Sequence, residues 1–560
     1  MQREHIKWTM SDKQIYLAII CLGIALYGKS IFFDYTNLDD TMLLVANQAF
    51  LGDIGNLSKM FTTDVFISGS NPQTYYRPLM NILFMFEAQI AQDRPLLYHV
   101  TNILLHIGCS LLVYVFFRQL KFSRNCSALS AAVFCVHPLQ TSAVVWIPGR
   151  NDTLLALFIL SSFLFFLRAH EVKRTWMYAV HLGLFFCALL VKESAIVLPF
   201  LCIGYITVVK REKVQRGVSI SVGAGYVLAI ASWFMMRNLV SHGYEIHNAG
   251  NTLAVNWFNN LPAFFLYIGK IFIPINFSVF PNLADHSIIP GIFCVLLIAG
   301  LLYILQPASL KLILWGLFWF FLFLAPSLSG EAVFYSHRMY CSMVGFLIAG
   351  AAFLEEVPMK LPSGARVAGA VTILLGLSAI TFFQENVFRG RESYANNAYD
   401  TAPSVDKSYV CMAGMYLDQR NEPAAEEVLL AELKRKPSAS FAHRMLGDIY
   451  TNRRTYDLAV REYELALRFD PLDRFAYIHY GILNLELGRV DAAVQLWKTT
   501  IQINPDFLLG YYYLANCYVR TKNDPDSAMI YVRELQKRGE PVLPDLLKAI
   551  ESHPLYKKTR

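Results

Sequence analysis

The feature that most limits how this chain can fold is a series of eleven predominantly apolar runs in its first two-thirds. They cover residues 14–33, 97–117, 126–147, 153–168, 176–191, 194–209, 217–236, 288–306, 310–328, 333–354 and 366–383. A helix needs about 20 residues to cross a bilayer core, and inside that core the backbone must satisfy its own hydrogen bonds. The runs therefore predict an all-α, polytopic membrane region. A further stretch, 262–280, is apolar but broken by Lys270, Pro274 and Asn276, and reads as an interfacial or re-entrant piece. Only 16% of the 560 residues are charged, against about 25% in a soluble chain. The last third has ordinary soluble composition, so two regions with different solvents are the minimum description. The first run follows Arg3, Lys7 and Lys13 without a convincing small-residue cleavage site and is expected to be a retained span.

Loop charge sets the expected topology. Arg118/Lys121/Arg124, Arg168/Lys173/Arg174 and Lys210/Arg211/Lys213/Arg216 lie on alternate loops and mark the cytoplasmic side. If 262–280 does not cross, Lys311 and Lys360/Arg366 join them. Eleven crossings then put the N-terminus inside and the C-terminal third outside. The outer side collects the loop 34–96 with Asp34, Asp39, Asp40, Asp53, Asp64 and Arg77. To it belong also Arg150/Asp152, Lys192/Glu193, the loop from Arg237 with His242 and His247, and Glu331/His337/Arg338. Charges at span ends are costly against lipid and are expected to face one another or a polar cavity. No span carries a mid-membrane charge of the kind an ion path requires, and no basic block suggests nucleic acid. The ten cysteines show neither a disulfide framework nor metal-ligand spacing.

In the soluble third, Pro403, Pro437, Pro471 and Pro505 recur at intervals of 34 residues, the period of tetratricopeptide repeats. Leu446, Gly447, Tyr450, Ala459, Tyr463 and Ala466 precede Pro471, and Tyr480, Gly481, Ala493 and Trp497 precede Pro505 in register. Such repeats stack into an α-solenoid with a concave surface suited to peptides. The expected division is a membrane domain at 1–383, with its first outer loop at 34–96, and a polar connector at 384–402. Four repeats at 403–538 and a capping tail at 539–560 follow.

Several motifs carry a family likeness. They are Leu38-Asp39-Asp40 after the first span, Tyr75-Tyr76-Arg77-Pro78-Leu79, His137-Pro138-Leu139-Gln140-Thr141, Trp146 through Asp152, Lys192-Glu193, and Pro274 to Ser278. With the repeats, they resemble the transmembrane-and-tetratricopeptide-repeat O-mannosyltransferases and their bacterial relatives, within the GT-C class of membrane glycosyltransferases. The chain departs from the family's pattern at His337-Arg338, where a Glu-Arg pair is usual, and at Thr141-Ser142 after His-Pro. Its repeat array is also shorter than in eukaryotic members.

The resemblance implies transfer of a sugar, commonly mannose, from a polyprenyl or dolichyl phosphate to a Ser/Thr hydroxyl of a protein. A hydroxyl is a poor nucleophile at neutral pH, so a carboxylate must take its proton; Asp39 or Asp40 is the expected base. Arg77, Arg150, Lys192 and Arg338 are the expected ligands of the donor phosphate, where cations stabilise the charge of the departing group. Glu193, His337 and His137 are the expected orienting partners. No cofactor or metal is called for, although the Asp-Asp pair leaves room for a divalent cation.

Plainer readings apply to the same residues. Pro78 after Arg77 also marks a helix start, His137 could satisfy a broken helix, and Lys192 and Glu193 could pair with each other. Two other functions fit parts of the sequence: a non-catalytic membrane-anchored repeat scaffold, and an enzyme of the same class that glycosylates a lipid or glycan. The short array points to a bacterial inner membrane with the repeats in the periplasm; an endoplasmic-reticulum membrane with lumenal repeats satisfies the same topology.

Overall fold

The computed structural model describes residues 10–556 except 37, 68–74, 92–93, 213–214, 241–248, 330–332, 357–361, 506 and 538–543, with the side chains of 249–254 and 363 also left aside. The regular structure among the described residues is all helical, with no strand. Two compact units emerge: residues 1–65 with 74–405, and 406–560 with 66–73.

In the first unit, each of the eleven apolar runs corresponds to helical structure. Eight described helices are long and apolar enough to span a membrane, and Arg124–Val136 with Pro138–Val145 forms a ninth element bent by 51°. Thr175–Val191 and Ile289–Leu305 are apolar helices of 17 residues each. The bend follows from Pro138, which lacks an N–H and forces the residue before it out of the helical region. His137 is accordingly extended, and its Nδ1 accepts the Leu139 N–H at 3.2 Å. A second break comes at Trp146, also extended, before the turn Ile147–Gly149. A Cβ on Gly149 would lie 2.3 Å from the Ser142 carbonyl oxygen, so this close return of the chain requires glycine.

The stretch 262–280 does not make a spanning helix. Ala263–Phe272 has ten residues, about 15 Å of helix against a hydrocarbon core of about 30 Å. The Lys270 ammonium then donates to the carbonyls of Ile275 and Asn276, turning the chain back on the helix end.

Helices Leu310–Leu324 and Met339–Glu356 cross at Gly316 and Gly345. A Cβ on Gly316 would lie 2.6 Å from the Gly345 carbonyl oxygen, the small-residue contact that lets membrane helices meet backbone to backbone. Buried polar side chains add bonds between helices: His106 to Tyr340 (2.6 Å), and His181 to Ser162 (2.8 Å) and Tyr226 (2.7 Å). The connector is partly helical, Arg391–Thr401, and is tied down. Asn397 accepts the Val279 N–H at 3.0 Å, and just beyond the connector Ser404 donates to Asp285 at 2.6 Å.

The second unit is a run of helix pairs: Asp406–Asp418 with Glu422–Arg435, Ser440–Asn452 with Tyr456–Phe469, Arg474–Glu486 with Val490–Ile503, and Leu508–Arg520 with Pro525–Lys537. Pro544–Glu551 follows them. Gly447 lies under the Tyr463 ring and Gly481 under Trp497, so the small residues of the repeat pattern are where paired helices approach. In the fourth pair Asp524 accepts the Ser527 N–H at 3.0 Å, capping the displaced second helix.

Candidate active site

Two sets of charged residues are assembled at the ends of the membrane helices. The first surrounds the Asp39-Asp40 pair. The chain leaves the first span, and Leu38 adopts φ 62° and ψ −105°, a strained conformation for a residue with a branched side chain. That turn starts the short helix Asp39–Leu43, which packs against the turn Ile147–Gly149. Asp40 points inward: the Thr36 N–H and hydroxyl both donate to its Oδ2 at 2.6 Å, and Oδ1 is sealed from solvent without a partner. Burial pushes the Asp40 carboxyl up to about 7. The two Thr36 bonds and Arg150 pull against that rise, and the Asp39 charge adds to it. Asp39 is only half-buried, so the two adjacent carboxylates differ in access.

Arg150 anchors this set from below. Its guanidinium is fully enclosed: Nη1 donates to Glu87, Nε to Asn102 Oδ1 at 2.9 Å, and Nη2 to the Tyr98 carbonyl at 2.8 Å. The Phe84 ring lies 4.4 Å from its central carbon. All three nitrogens are engaged by protein, so Arg150, expected as a phosphate ligand, is held in a buried ion pair with Glu87. Its partner Glu87 is not singled out by the motifs. The available signal is a lone carboxylate inside the apolar helix Pro78–Ala91, where burial demands a counter-charge.

The second set gathers Arg77, Asp152, Lys192, Glu193, His337 and Arg338. Arg77 immediately precedes Pro78, which does begin a helix. Lys192 is extended between Thr175–Val191 and the turn Glu193–Val197, so it and Glu193 point to different partners. Lys192 Nζ donates to both Asp152 oxygens at 2.8 Å each. Glu193 Oε1 meets Arg77 Nη2 at 3.4 Å. The expected alternative of a Lys192–Glu193 pair is thus replaced by two separate contacts. Asp152 also lies within the electrostatic reach of Arg77 and Arg338, which places three cations around one carboxylate. Arg338 Nη1 donates to the carbonyls of Ser327 (3.2 Å) and Val333 (3.3 Å), holding that arginine in place. His337 is buried between two aromatic rings, Trp146 at 5.4 Å and Tyr335 at 5.2 Å, and lies in the field of Lys192, Arg338 and Arg77.

His137 belongs to neither set. Besides capping Leu139, its Nε2–H donates to the Ile271 carbonyl at 3.0 Å, so it joins the bent helix to the end of Ala263–Phe272. These two contacts match the broken-helix reading of His137. His242, His247 and Glu331 lie outside the described residues. Among the described residues no group of three or more His, Cys, Asp or Glu side chains is arranged to hold a metal ion.

Comparison with known proteins bears on the same region. The family model described as dolichyl-phosphate-mannose-protein mannosyltransferase matches residues 77–236, a stretch that begins at Arg77 and contains Arg150, Asp152, Lys192 and Glu193. A tetratricopeptide-repeat model matches residues 415–474. The human protein O-mannosyl-transferase TMTC4 is 31% identical over 169 residues, covering 27% of this chain and 22% of the relative. Human TMTC1 is 29% identical over 193 residues (32% and 22%), and Drosophila melanogaster Tmtc1 is 30% identical over 247 residues (43% and 28%). The chain thus spans less than a third of the length of these curated relatives. A mannosyltransferase-like stretch in the membrane half, followed by tetratricopeptide repeats, is the combination in which the chain is similar to the TMTC O-mannosyl-transferases.

Proposed function

We propose that the protein is an integral-membrane glycosyltransferase. It moves a sugar, mannose by family likeness, from a polyprenyl or dolichyl phosphate to Ser/Thr hydroxyls of a protein on the extracytoplasmic face. The observation that carries this reading is the convergence of Arg77, Lys192 and Arg338 around Asp152, close to the end of a helix whose other end-charge, Arg150, underlies the Asp39-Asp40 turn. Lys192 spends two of its three N–H donors on Asp152 and keeps one for a phosphate oxygen.

In the proposed step the acceptor hydroxyl oxygen attacks the anomeric carbon, and the bond from that carbon to the phosphate oxygen breaks on the opposite face, with inversion. The hydroxyl proton passes to Asp39, the half-buried carboxylate of the pair. Asp40, enclosed and bonded twice to Thr36, positions the turn that presents Asp39. The negative charge stays on the lipid phosphate, stabilised by the cations. His337, held between Trp146 and Tyr335, shapes the wall beside Lys192. The repeats recruit or present the acceptor, and the bacterial inner membrane with periplasmic repeats is the proposed location.

The test is transfer by purified protein in nanodiscs, supplied with polyprenyl-phosphate mannose and a panel of Ser/Thr-rich peptides and glycolipids. Asp39→Asn is expected to cost about 10²–10⁴-fold in turnover with donor binding retained. Full activity in Asp39→Asn would remove it as the base. Transfer to glycolipid alone would move the acceptor from protein to lipid.

A further inference from the structure

Glu193 and Asp152 are both acidic members of the cationic cluster, but they are held very differently. Asp152 is sealed, with a side chain 4% exposed and both oxygens on Lys192 at 2.8 Å. Glu193 is 43% exposed and touches Arg77 through one oxygen at 3.4 Å, longer than the about 2.7–2.9 Å of a well-formed charge-assisted bond. Arg77 retains a buried Nε–H with no acceptor, so its guanidinium is only partly satisfied. Glu193 is also within the electrostatic reach of Lys192 and, more weakly, of Arg237, in the last turn of the helix Arg216–Val240. The central carbon of that arginine lies 5.6 Å from the Trp233 ring. Its sequence neighbours Phe234, Met235 and Leu239 expose apolar side chains, as a lipid-facing helix does. One loosely held carboxylate therefore lies in the field of two guanidiniums, one deep in the site and one at the edge where an isoprenoid chain would run.

We infer that Glu193 is an internal stand-in for the donor phosphate. In the ligand-free protein its carboxylate occupies the anion position served by Arg77, with Arg237 in its wider field, and an arriving lipid phosphate displaces it. Arg237 is thereby a further donor-binding residue. This rests on the proposed function, because it presupposes that the cluster receives a lipid phosphate. The physical basis is that a guanidinium fork accepts carboxylate and phosphate oxygens in the same geometry, so an internal carboxylate competes for it. The stand-in keeps the cations from being left bare at the membrane edge, and its loose attachment makes it displaceable.

The experiment measures the affinity of the full chain in nanodiscs for undecaprenyl phosphate. Wild type is compared with Glu193→Gln, Arg237→Gln and Arg237→Lys. Removing the competing charge in Glu193→Gln is expected to tighten binding by about five- to tenfold, a gain that misfolding does not produce. Arg237→Gln is expected to weaken it by a similar factor, and Arg237→Lys to recover much of the loss because the charge remains. Unchanged or weaker binding by Glu193→Gln overturns the stand-in role and makes Glu193 a positioning residue for Arg77. Wild-type affinity in Arg237→Gln removes Arg237 from the site and overturns that part of the inference. If wild-type protein binds neither undecaprenyl phosphate nor dolichyl phosphate, the proposed function itself fails, an outcome distinct from either reversal among the variants.

Discussion

Replacing Arg150 by methionine is expected to destabilise the membrane unit by about 3–5 kcal/mol, the usual cost of leaving one member of a buried ion pair without its partner. The structure shows where that loss arises. The substitution strands the Glu87 carboxylate in a site that is 4% exposed. It also takes the donors from Asn102 Oδ1 and the Tyr98 carbonyl, and bonds to a charged group contribute about 1.5–3 kcal/mol each. The damage does not stay local, because Asn102 Nδ2 donates to the carbonyls of Val144, Trp146 and Ile147, at 3.1, 3.3 and 3.4 Å. Those carbonyls belong to the second helix break, on which the Asp39–Leu43 helix rests. Glu87→Leu alone is expected to cost a similar amount, because it leaves the arginine charged and enclosed. The double variant Glu87→Leu/Arg150→Met should recover most of the loss, to within about 1–2 kcal/mol of wild type, since a buried pair replaced by apolar side chains is often near neutral. The assay is denaturant unfolding of purified protein in detergent, read as a double-mutant cycle. Single variants that unfold like wild type, with donor binding selectively lost in Arg150→Met, would refute the reasoning and return Arg150 to the phosphate site.

Other outcomes follow from particular residues. The Asp40 carboxyl is raised to about 7 in the folded protein, against about 3.9 when unfolded, so the folded state holds the extra proton between those values. Stability tied to this group is full below about pH 4, falls as pH rises to about 7, and levels off above. Asp40→Asn should lack that fall, and an unfolding difference from wild type that is constant from pH 4 to 8 would contradict it. His137→Ala should lower stability by about 1–3 kcal/mol through the lost Leu139 cap and the orphaned Ile271 carbonyl, with donor affinity unchanged. Gly149→Ala meets backbone atoms at 2.3 and 2.9 Å, which cannot move aside as a flexible side chain would; a loss of about 1–3 kcal/mol in the same unfolding assay is expected. Lys192→Gln should weaken undecaprenyl phosphate binding, and Asp152→Asn should weaken it less, because Asp152 acts only by holding Lys192.

Part of the site is legible in the sequence. The arrangement of loop charges assigns Arg77, Lys192, Glu193, His337 and Arg338 to one side of the membrane, and the structure brings these five into one cluster. Asp152 stands in the same inventory, but nothing in its neighbours along the chain reveals that it clamps Lys192, a residue 40 positions away. Asp39 and Asp40 are indistinguishable as adjacent carboxylates in the chain. The positive φ at Leu38 and the Thr36 bonds turn one inward and leave the other half-accessible. The 262–280 segment is set apart from the spans by sequence and structure alike, because Lys270, Pro274 and Asn276 interrupt it within a single helical length.

The sequence by itself determined which stretches are apolar enough to enter a membrane and where the 34-residue repeats lie. Both are local or periodic properties: an apolar run long enough to span, or small residues and prolines recurring every 34 positions, has its meaning wherever the chain goes. Only the tertiary structure decided which charges are fully engaged by protein partners and which keep an unused donor. Arg150 and Lys192 look alike in the chain, each at a span end beside an acidic residue. Arg150 finds Glu87, 63 residues away, and is consumed, whereas Lys192 keeps a donor. Pairing a buried charge is a question of what lies across the helix interface, and no local pattern in the chain records that neighbour.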